Sequence, residues 1–298
     1  MPASSSSLLF VVGVVAAMLA RRWLSTTTTT TSRSLRVVQY NVHRFTDFEG
    51  VARSLEALRP NIVALNEVDE DPGRLADRLG LRSYFFGHAR NGSYGNAVLC
   101  REGIVTTERK LDGGAVLVFE GKEHQIIRGL VAVRVGDLLV AVTHLDHVDE
   151  KHRATQAQSV LKALAHEKDD HILLLGDLNA LRRSDYDDEA WTHLERRNEI
   201  NGWSPPADSA APGGALHVFH EAGFVDLADI TNMTSQHMTS VSHCRLTNGQ
   251  ACQRIDYALA SQKLAKRISN CALSVDSSAT GSDHYPLVVD LTIDDDNN

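Results

Sequence analysis

The chain has 298 residues, 43% of them hydrophobic and 23% charged, and a formal net charge of −8. This balance fits an ordinary folded protein and excludes a disordered chain, a multi-span membrane protein and a strongly basic nucleic-acid coat; a local basic patch remains open. Four cysteines, Cys100, Cys244, Cys252 and Cys271, are too few and too scattered for a disulfide scaffold and lack zinc-ligand spacing. Cys244 and Cys252 could form a loop bridge, but the plain reading is four structural thiols.

Residues 1–34 differ in composition from the rest. Leu8–Ala20 is a run of thirteen residues without charge, followed by Arg21, Arg22, the threonine run Thr26–Thr31 and Arg33, and no acid precedes Asp47. A bilayer-spanning helix needs roughly 20 apolar residues, whereas this length suits the apolar region of a signal peptide. The arginines follow the apolar run, as in a signal anchor. The acid-free, Arg/Ser/Thr-rich character also suits a mitochondrial presequence. The expectation is a targeting or anchor segment over 1–34 with a Thr-rich linker. Membrane association would run through residues 8–20, with a membrane or secretory location ahead of the mitochondrion. One folded domain over 35–293 and a short acidic tail over 294–298 complete the organisation, and a monomer is the expected state.

From Leu35 onward, short apolar runs alternate with helical stretches. Leu35–Tyr40 reads as a strand ending at Asn41. Phe48, Val51, Ala52, Leu55 and Leu58 recur at helical spacing until Pro60 closes the helix. Ile62–Leu65 is a buried strand leading to Glu67. Gly95–Cys100, Ala115–Phe119 and Ile126–Val135 are predicted strands, and Leu138–Thr143 leads to His144. Ala154, Val160, Leu161 and Leu164 predict a helix, and Ile172–Leu175 a strand leading to Gly176 and Asp177. Asp185–Gly214 is polar, with Pro205, Pro206 and Pro212, and reads as a long surface excursion. Arg254–Ala260 and Tyr285–Ile293 are the last predicted strands.

Several of these strands deliver a polar residue at or just past their C-terminal end: Asn41, Glu67, His144, Asp177 and Asn179. Any one of them could be a turn former. Together they could build a site on one rim of a rigid scaffold.

Read in order, the segments are Gln39-Tyr40-Asn41-Val42, Leu65-Asn66-Glu67-Val68, Tyr94-Gly95-Asn96-Ala97, Thr143-His144-Leu145, Gly176-Asp177-Leu178-Asn179-Ala180, Arg254-Ile255-Asp256-Tyr257 and Gly281-Ser282-Asp283-His284. This order and spacing resemble the endonuclease/exonuclease/phosphatase superfamily of metal-dependent phosphohydrolases, over about residues 35–292. The resemblance implies an α/β fold, a four-layer sandwich of two mixed β-sheets packed face to face with helices on both outer faces.

Hydrolysing a phosphodiester requires charge neutralisation on the phosphoryl oxygens, an aligned water and help for the leaving oxygen. Glu67 and Asn41 are oxygen donors suited to a hard cation such as Mg2+, with Mn2+ as a substitute. The resemblance makes Glu67 the principal metal ligand with Asn41 beside it, and Asp283 a ligand of the same or a second metal. It gives Asp177 the attacking water, Asn179 the phosphate or that water, and His284 the scissile phosphate with Asp256 orienting its ring. His144 would bond a phosphoryl oxygen or protonate the leaving group. A phosphodiester substrate is expected, nucleic acid ahead of phospholipid or inositol phosphate.

Abasic-site endonucleases of this superfamily carry a lysine soon after the metal glutamate and a tyrosine in place of His144. Here Val68, Asp69 and Glu70 follow Glu67. His144 resembles the arrangement of pancreatic-type deoxyribonucleases, sphingomyelinases, deadenylases and tyrosyl-DNA phosphodiesterases. Arg153 and Gln156 share a face of the predicted helix, either solvated or supporting the site. Two other readings compete. His144-Leu145-Asp146-His147 partly matches the zinc motif of metallo-β-lactamase-fold hydrolases, but its first histidine is missing. A binding module that kept the fold and lost catalysis is the other; the intact acid, amide and imidazole set opposes it.

Overall fold

The computed structural model describes residues 32–69, 72–81, 83–88, 95–101, 116–120, 127–165, 171–231, 233, 238–240, 252–275 and 281–294. Residues 1–31 of the expected targeting segment, including 8–20, lie outside them, as do Glu70, Tyr94 and Cys244. Among the described residues no helix is long and apolar enough to cross a membrane.

The strands are β1 (Ser32–Asn41), β2 (Ile62–Val68), β3 (Ser83–His88), β4 (Gly95–Cys100), β5 (Val116–Glu120) and β6 (Ile127–Val135). They continue with β7 (Leu138–Thr143), β8 (Ile172–Asp177), β9 (Phe224–Asp226), β10 (Asp256–Ser261), β11 (Ile268–Leu273) and β12 (Leu287–Asp294). One six-stranded sheet has the order β11-β12-β1-β2-β4-β3, the other β5-β6-β7-β8-β10-β9. Both are mixed: β1 runs parallel to β2, and β7 to β8, while the remaining pairs are antiparallel.

Alternation along the strands sorts the layers. Leu35, Val37, Ile62, Ala64 and Val98 of one sheet meet Val140, Val142, Leu173, Leu175 and Ala258 of the other in a central core. The intervening residues face outward. Val38, Tyr40, Val63 and Leu65 pack under α1 (Phe48–Leu58) and α2 (Gly73–Leu79). Leu139, Ala141, Ile172 and Leu174 pack under α3 (Glu150–Leu164) and, further along the chain, the helix Ala215–Glu221. Two sheets between two helical layers make the four-layer sandwich. Truncating any of these fully buried leucines to alanine should cost about 2–5 kcal/mol.

Helix limits follow local chemistry. Asp47 caps α1 by accepting the Gly50 N–H, and the helix ends at Arg59 in a left-handed conformation (φ 52°) before Pro60. Asp149 caps α3 through the N–H groups of Lys151 and His152.

Three expectations change. Ser32–Ser34, assigned to the linker, pair with Asp294, Ile293 and Thr292 in a β1–β12 ladder, which also takes up Asp294 from the expected tail. Asp185–Gly214 is not a surface excursion. It holds α4 (Asp188–Asn201), and its Tyr186, Leu194 and Ser209 are buried. Asp185 and Tyr186 grip the fully buried Arg254, whose guanidinium pairs with Asp185 at 3.0 Å and Asp226 at 2.6 Å and whose N–H reaches the Tyr186 hydroxyl at 3.0 Å. Nor are there four structural thiols: Cys252 is in a disulfide, while Cys100 and Cys271 are buried free thiols.

Candidate active site

At one pole of the sandwich the inward positions stop being apolar. Gln39 continues the face of Leu35 and Val37, and Asn66 that of Ile62 and Ala64. Asp177 continues Leu173 and Leu175, and Asp256 precedes Ala258 and Ala260. All four polar side chains are buried. They bond across the gap between the sheets. Gln39 Nε2 donates to Asp256 Oδ1 at 2.9 Å and to Asn66 Oδ1 at 3.1 Å. Asn66 Oδ1 also accepts the Asp177 N–H at 3.0 Å, and its Nδ2 donates to Asn96 Oδ1 at 2.8 Å and to the Thr143 carbonyl at 2.9 Å. Buried polar groups that satisfy one another fix a single arrangement, so this network holds the two sheets' strand ends in register.

On this floor sits a carboxylate–imidazole cluster. Asp177 and Asp256 are register partners in the antiparallel β8–β10 pair. Asp256 Oδ2 lies 2.7 Å from His284 Nδ1, and His284 Nε2 lies 3.8 Å from Asp177 Oδ2. On the other side, His144 Nε2 is 3.4 Å from Asp177 Oδ2, 3.1 Å from Asn179 Nδ2 and 4.0 Å from Glu67 Oε1. Asn41 Nδ2 donates to Asp177 Oδ2 at 3.0 Å, and Asn41 Oδ1 accepts the His43 N–H at 3.1 Å. Asn179 donates its backbone N–H to Asp177 Oδ1 at 3.0 Å and its Nδ2 to the Leu145 carbonyl at 3.1 Å.

Backbone strain aims two of these residues. Glu67 has φ 57° beside an irregularity in the β2–β4 register, which turns its carboxylate towards His144. Asn179 has φ 48°. Such left-handed residues cluster where function constrains the chain. Gly176 (φ 144°) lets β8 approach β7: a Cβ there would lie 1.9 Å from the Thr143 carbonyl oxygen. Gly281 (φ 55°) seats the segment carrying Asp283 and His284 against α1, where a Cβ would fall 2.2 Å from the Val51 nitrogen.

The electrostatics favour a cation. Burial, and then the charges of Asp256 and Glu67, push Asp177 up to about 7 against the opposing pull of His284. Burial alone would lower the His284 pKa, but Asp256 outweighs it by charge and hydrogen bond, helped by Asp177 and Asp283, and His284 rises to about 10. The cluster thus has more negative charge than it can hold bare. Two trios, Glu67–His144–Asp177 and Asp177–Asp256–His284, place their ligand atoms within 4.8 Å of one another. The Glu67–His144–Asp177 donors fit a divalent cation, whereas in the other trio His284 is held as an imidazolium by Asp256 and offers no lone pair; Asp177 belongs to both.

All eight residues singled out in the sequence lie at this pole, but not as one set of ligands. Asp283 is in neither trio; its Oδ1 is 3.6 Å from His43 Nδ1 and 4.0 Å from His284 Nε2. Arg153 and Gln156 are buried and pin the loop after His144: Gln156 Oε1 accepts the Asp146 N–H at 2.7 Å, and Arg153 Nη1 donates to the Asp146 carbonyl at 3.0 Å. Asp146 itself accepts the N–H groups of Val148 and Asp149 as a turn former, which removes support from the zinc-motif reading. Gln39, Asn66, Asn96 and Thr239 were not singled out as site residues. Thr239 Oγ1 accepts the N–H groups of Ile255 and Asp256. The available signal for Gln39, Asn66 and Asn96 was an amide at an inward position of an apolar strand.

The profile of the endonuclease/exonuclease/phosphatase family matches residues 38–284. No curated protein matches the sequence. Among solved structures, an AP endonuclease from Archaeoglobus fulgidus is 19% identical, with a TM-score of 0.64 over 86% of this chain and 98% of that one. A 3′ phosphatase from Neisseria bound to product DNA hairpin is 15% identical, with a TM-score of 0.61 over 86% and 99%. Truncated TDP2 of Caenorhabditis elegans is 18% identical, with a TM-score of 0.56 over 87% and 98%. These likenesses establish the fold.

Proposed function

The chain belongs to the endonuclease/exonuclease/phosphatase family of phosphoester hydrolases, and on that premise we propose that it is a Mg2+-dependent phosphodiesterase acting on nucleic acid. The observation that carries the proposal is the position of Asp177, in the Glu67–His144–Asp177 trio and faced by two imidazoles.

Glu67 and Asn41, with Asp177, would hold the cation; the Asn41 oxygen has a lone pair left after accepting the His43 N–H. A divalent cation such as Mg2+, or Mn2+ in its place, would supply charge neutralisation for the phosphoryl oxygens there. Asp177, 3.4 Å from His144 and 3.8 Å from His284, would orient the attacking water and receive its proton. Asp256 holds His284 by Nδ1, which leaves Nε2 to face the scissile phosphate. His144 and Asn179, 3.1 Å apart, supply hydrogen bonds to a phosphoryl oxygen or to the leaving oxygen. Asp283 supports the rim between His43 and His284.

The test is a Mg2+-dependent screen of the purified protein on single-stranded and duplex DNA, RNA, sphingomyelin, phosphoinositides and bis(p-nitrophenyl) phosphate. Turnover of nucleic acid and of the aryl diester is expected. Turnover confined to the lipids would replace the nuclease reading with a phospholipid or inositol-phosphate one, which the apolar run Leu8–Ala20 motivates. We propose the same run, with its following arginines, as a targeting or anchor element for a membrane or secretory location. Fractionation of cells expressing the full chain and one beginning at Ser32 tests this; identical distributions would refute it.

A further inference from the structure

Next to the His144 loop lies an arginine with no acid of its own. Arg197, on α4, is 7% exposed. Its Nε and Nη2 both donate to Asn198 Oδ1, at 2.9 and 2.7 Å, and its Nη1 is buried without a hydrogen-bond partner. Its ionisable neighbours are Tyr186, whose phenol is pushed up by burial and stays neutral, and the Arg153 guanidinium, and no carboxylate among the described residues pairs with it. Burial pulls its pKa down to about 10, so it keeps its charge at neutral pH. A buried, unpaired charge is costly and points to an anion that arrives with a ligand.

One half-buried ring adjoins this guanidinium and a second, also half-buried, packs on the first. The guanidinium carbon lies 5.4 Å from the Trp203 ring centroid, and Trp203 makes an edge-to-face contact with His147 at 5.1 Å. His147 is three residues from His144, at most about 11 Å along the chain. Its loop is pinned at Asp146 by Gln156 and Arg153 and joined to the Trp203 segment by Ser204 Oγ, which donates to Asp149 Oδ2 at 2.8 Å. A ring pair and a cation on a fixed loop, one short span from the candidate centre, match the chemistry of a nucleotide, which offers an aromatic base and a phosphate.

We propose that Trp203, His147 and Arg197 form a subsite for the nucleotide beside the scissile phosphate, the base resting on the Trp203 ring and its phosphate meeting the Arg197 guanidinium. The proposal rests on the nuclease reading and narrows it to substrates with an unpaired nucleotide at that position, since a base inside a duplex stack cannot lie on a protein ring.

The experiment compares Mg2+-dependent kinetics on a single-stranded oligothymidylate with those on bis(p-nitrophenyl) phosphate, which has no flanking nucleotide. Trp203→Ala should raise KM for the oligothymidylate about ten-fold and leave the aryl diester unchanged, and Trp203→Phe should restore most of the loss. Arg197→Met should also raise the oligothymidylate KM without lowering the melting temperature, because the side chain it removes has no counter-charge. Equal losses on both substrates, an unchanged KM, or a lowered melting temperature in Arg197→Met would each overturn the subsite. If the wild-type protein cleaves no nucleic acid, the nuclease reading fails on its own. The subsite is then judged by oligothymidylate quenching of the fluorescence difference between wild type and Trp203→Phe in EDTA: quenching supports it and none refutes it.

Discussion

Asp256 reaches His284 Nδ1 at 2.7 Å from the strand directly opposite Asp177, so one imidazole is held from behind by a carboxylate while its other nitrogen stands 3.8 Å from a second. Removing either member of such a pair should disable the same function. His284→Ala and Asp177→Ala should each lower kcat by about 10²–10⁴-fold. Asp256→Asn combined with His284→Ala should be little worse than His284→Ala alone. Additive losses in single-turnover kinetics would show that Asp256 acts independently of the ring.

Glu67 is the half-buried carboxylate of its trio, turned inward by a left-handed backbone. Glu67→Gln keeps the shape and removes one negative charge. Activity should then require a higher Mg2+ concentration for half-saturation, with the melting temperature of the metal-free protein unchanged or raised as carboxylate crowding is relieved. EDTA should abolish turnover in both proteins. Full activity in chelator would remove the metal from the mechanism.

Arg254 is fully buried between Asp185 and Asp226, with its guanidinium carbon 4.4 Å from the Tyr257 ring centroid. Arg254→Ala leaves Asp185 and Asp226 with only Arg182, at 2.8 and 3.7 Å, and should destabilise the protein by about 3 kcal/mol. Arg254→Met keeps much of the packing, but the acids still lose one of their two cations, so it should fall between wild type and alanine. Urea unfolding measures both. A wild-type midpoint for Arg254→Ala would mean that the clamp contributes nothing.

Gly281 cannot accept a Cβ without moving the backbone of α1 or its own segment, and its φ of 55° disfavours any L side chain. Gly281→Ala should displace Asp283 and His284 together, lowering kcat on every substrate alike and also the melting temperature. A selective effect on KM would contradict a purely positional role.

Ser32–Ser34 belong to the β1–β12 ladder. A chain beginning at Ser32 should match the full chain in activity on a soluble diester. One beginning at Leu35 loses three strand pairs and should melt at a lower temperature, as differential scanning calorimetry would show.

The strand ends were legible because buried strands read as apolar runs, and a carboxylate, amide or imidazole at their close stands out. Asp177 and Asp256 even keep the inward parity of the leucines and alanines in their own strands. Gln39 passed as part of a motif because nothing local shows that its amide bridges two sheets. The helix α4 was missed for a different reason. The residues it buries are Leu194, Arg197 and Asn198, so its inner face has no hydrophobic stripe for a periodicity to reveal. Edge strand β11 is equally mixed, with Ser269 and Asn270 exposed beside buried Cys271. Left-handed Glu67 carries no sequence signature, and Asn179 only the general readiness of asparagine to enter that region.

The first and last strands lie side by side, with Ser32 facing Asp294, while the opposite end of β1 is Asn41 at the cluster. Ten residues of strand at about 3.3 Å each separate the two poles by roughly 30 Å. Both ends of the folded chain therefore leave from the pole opposite the reactive one. A fluorescent protein fused at Ser32 would join the fold roughly 30 Å from the cluster, like a handle set far from the working edge, and should leave turnover unchanged.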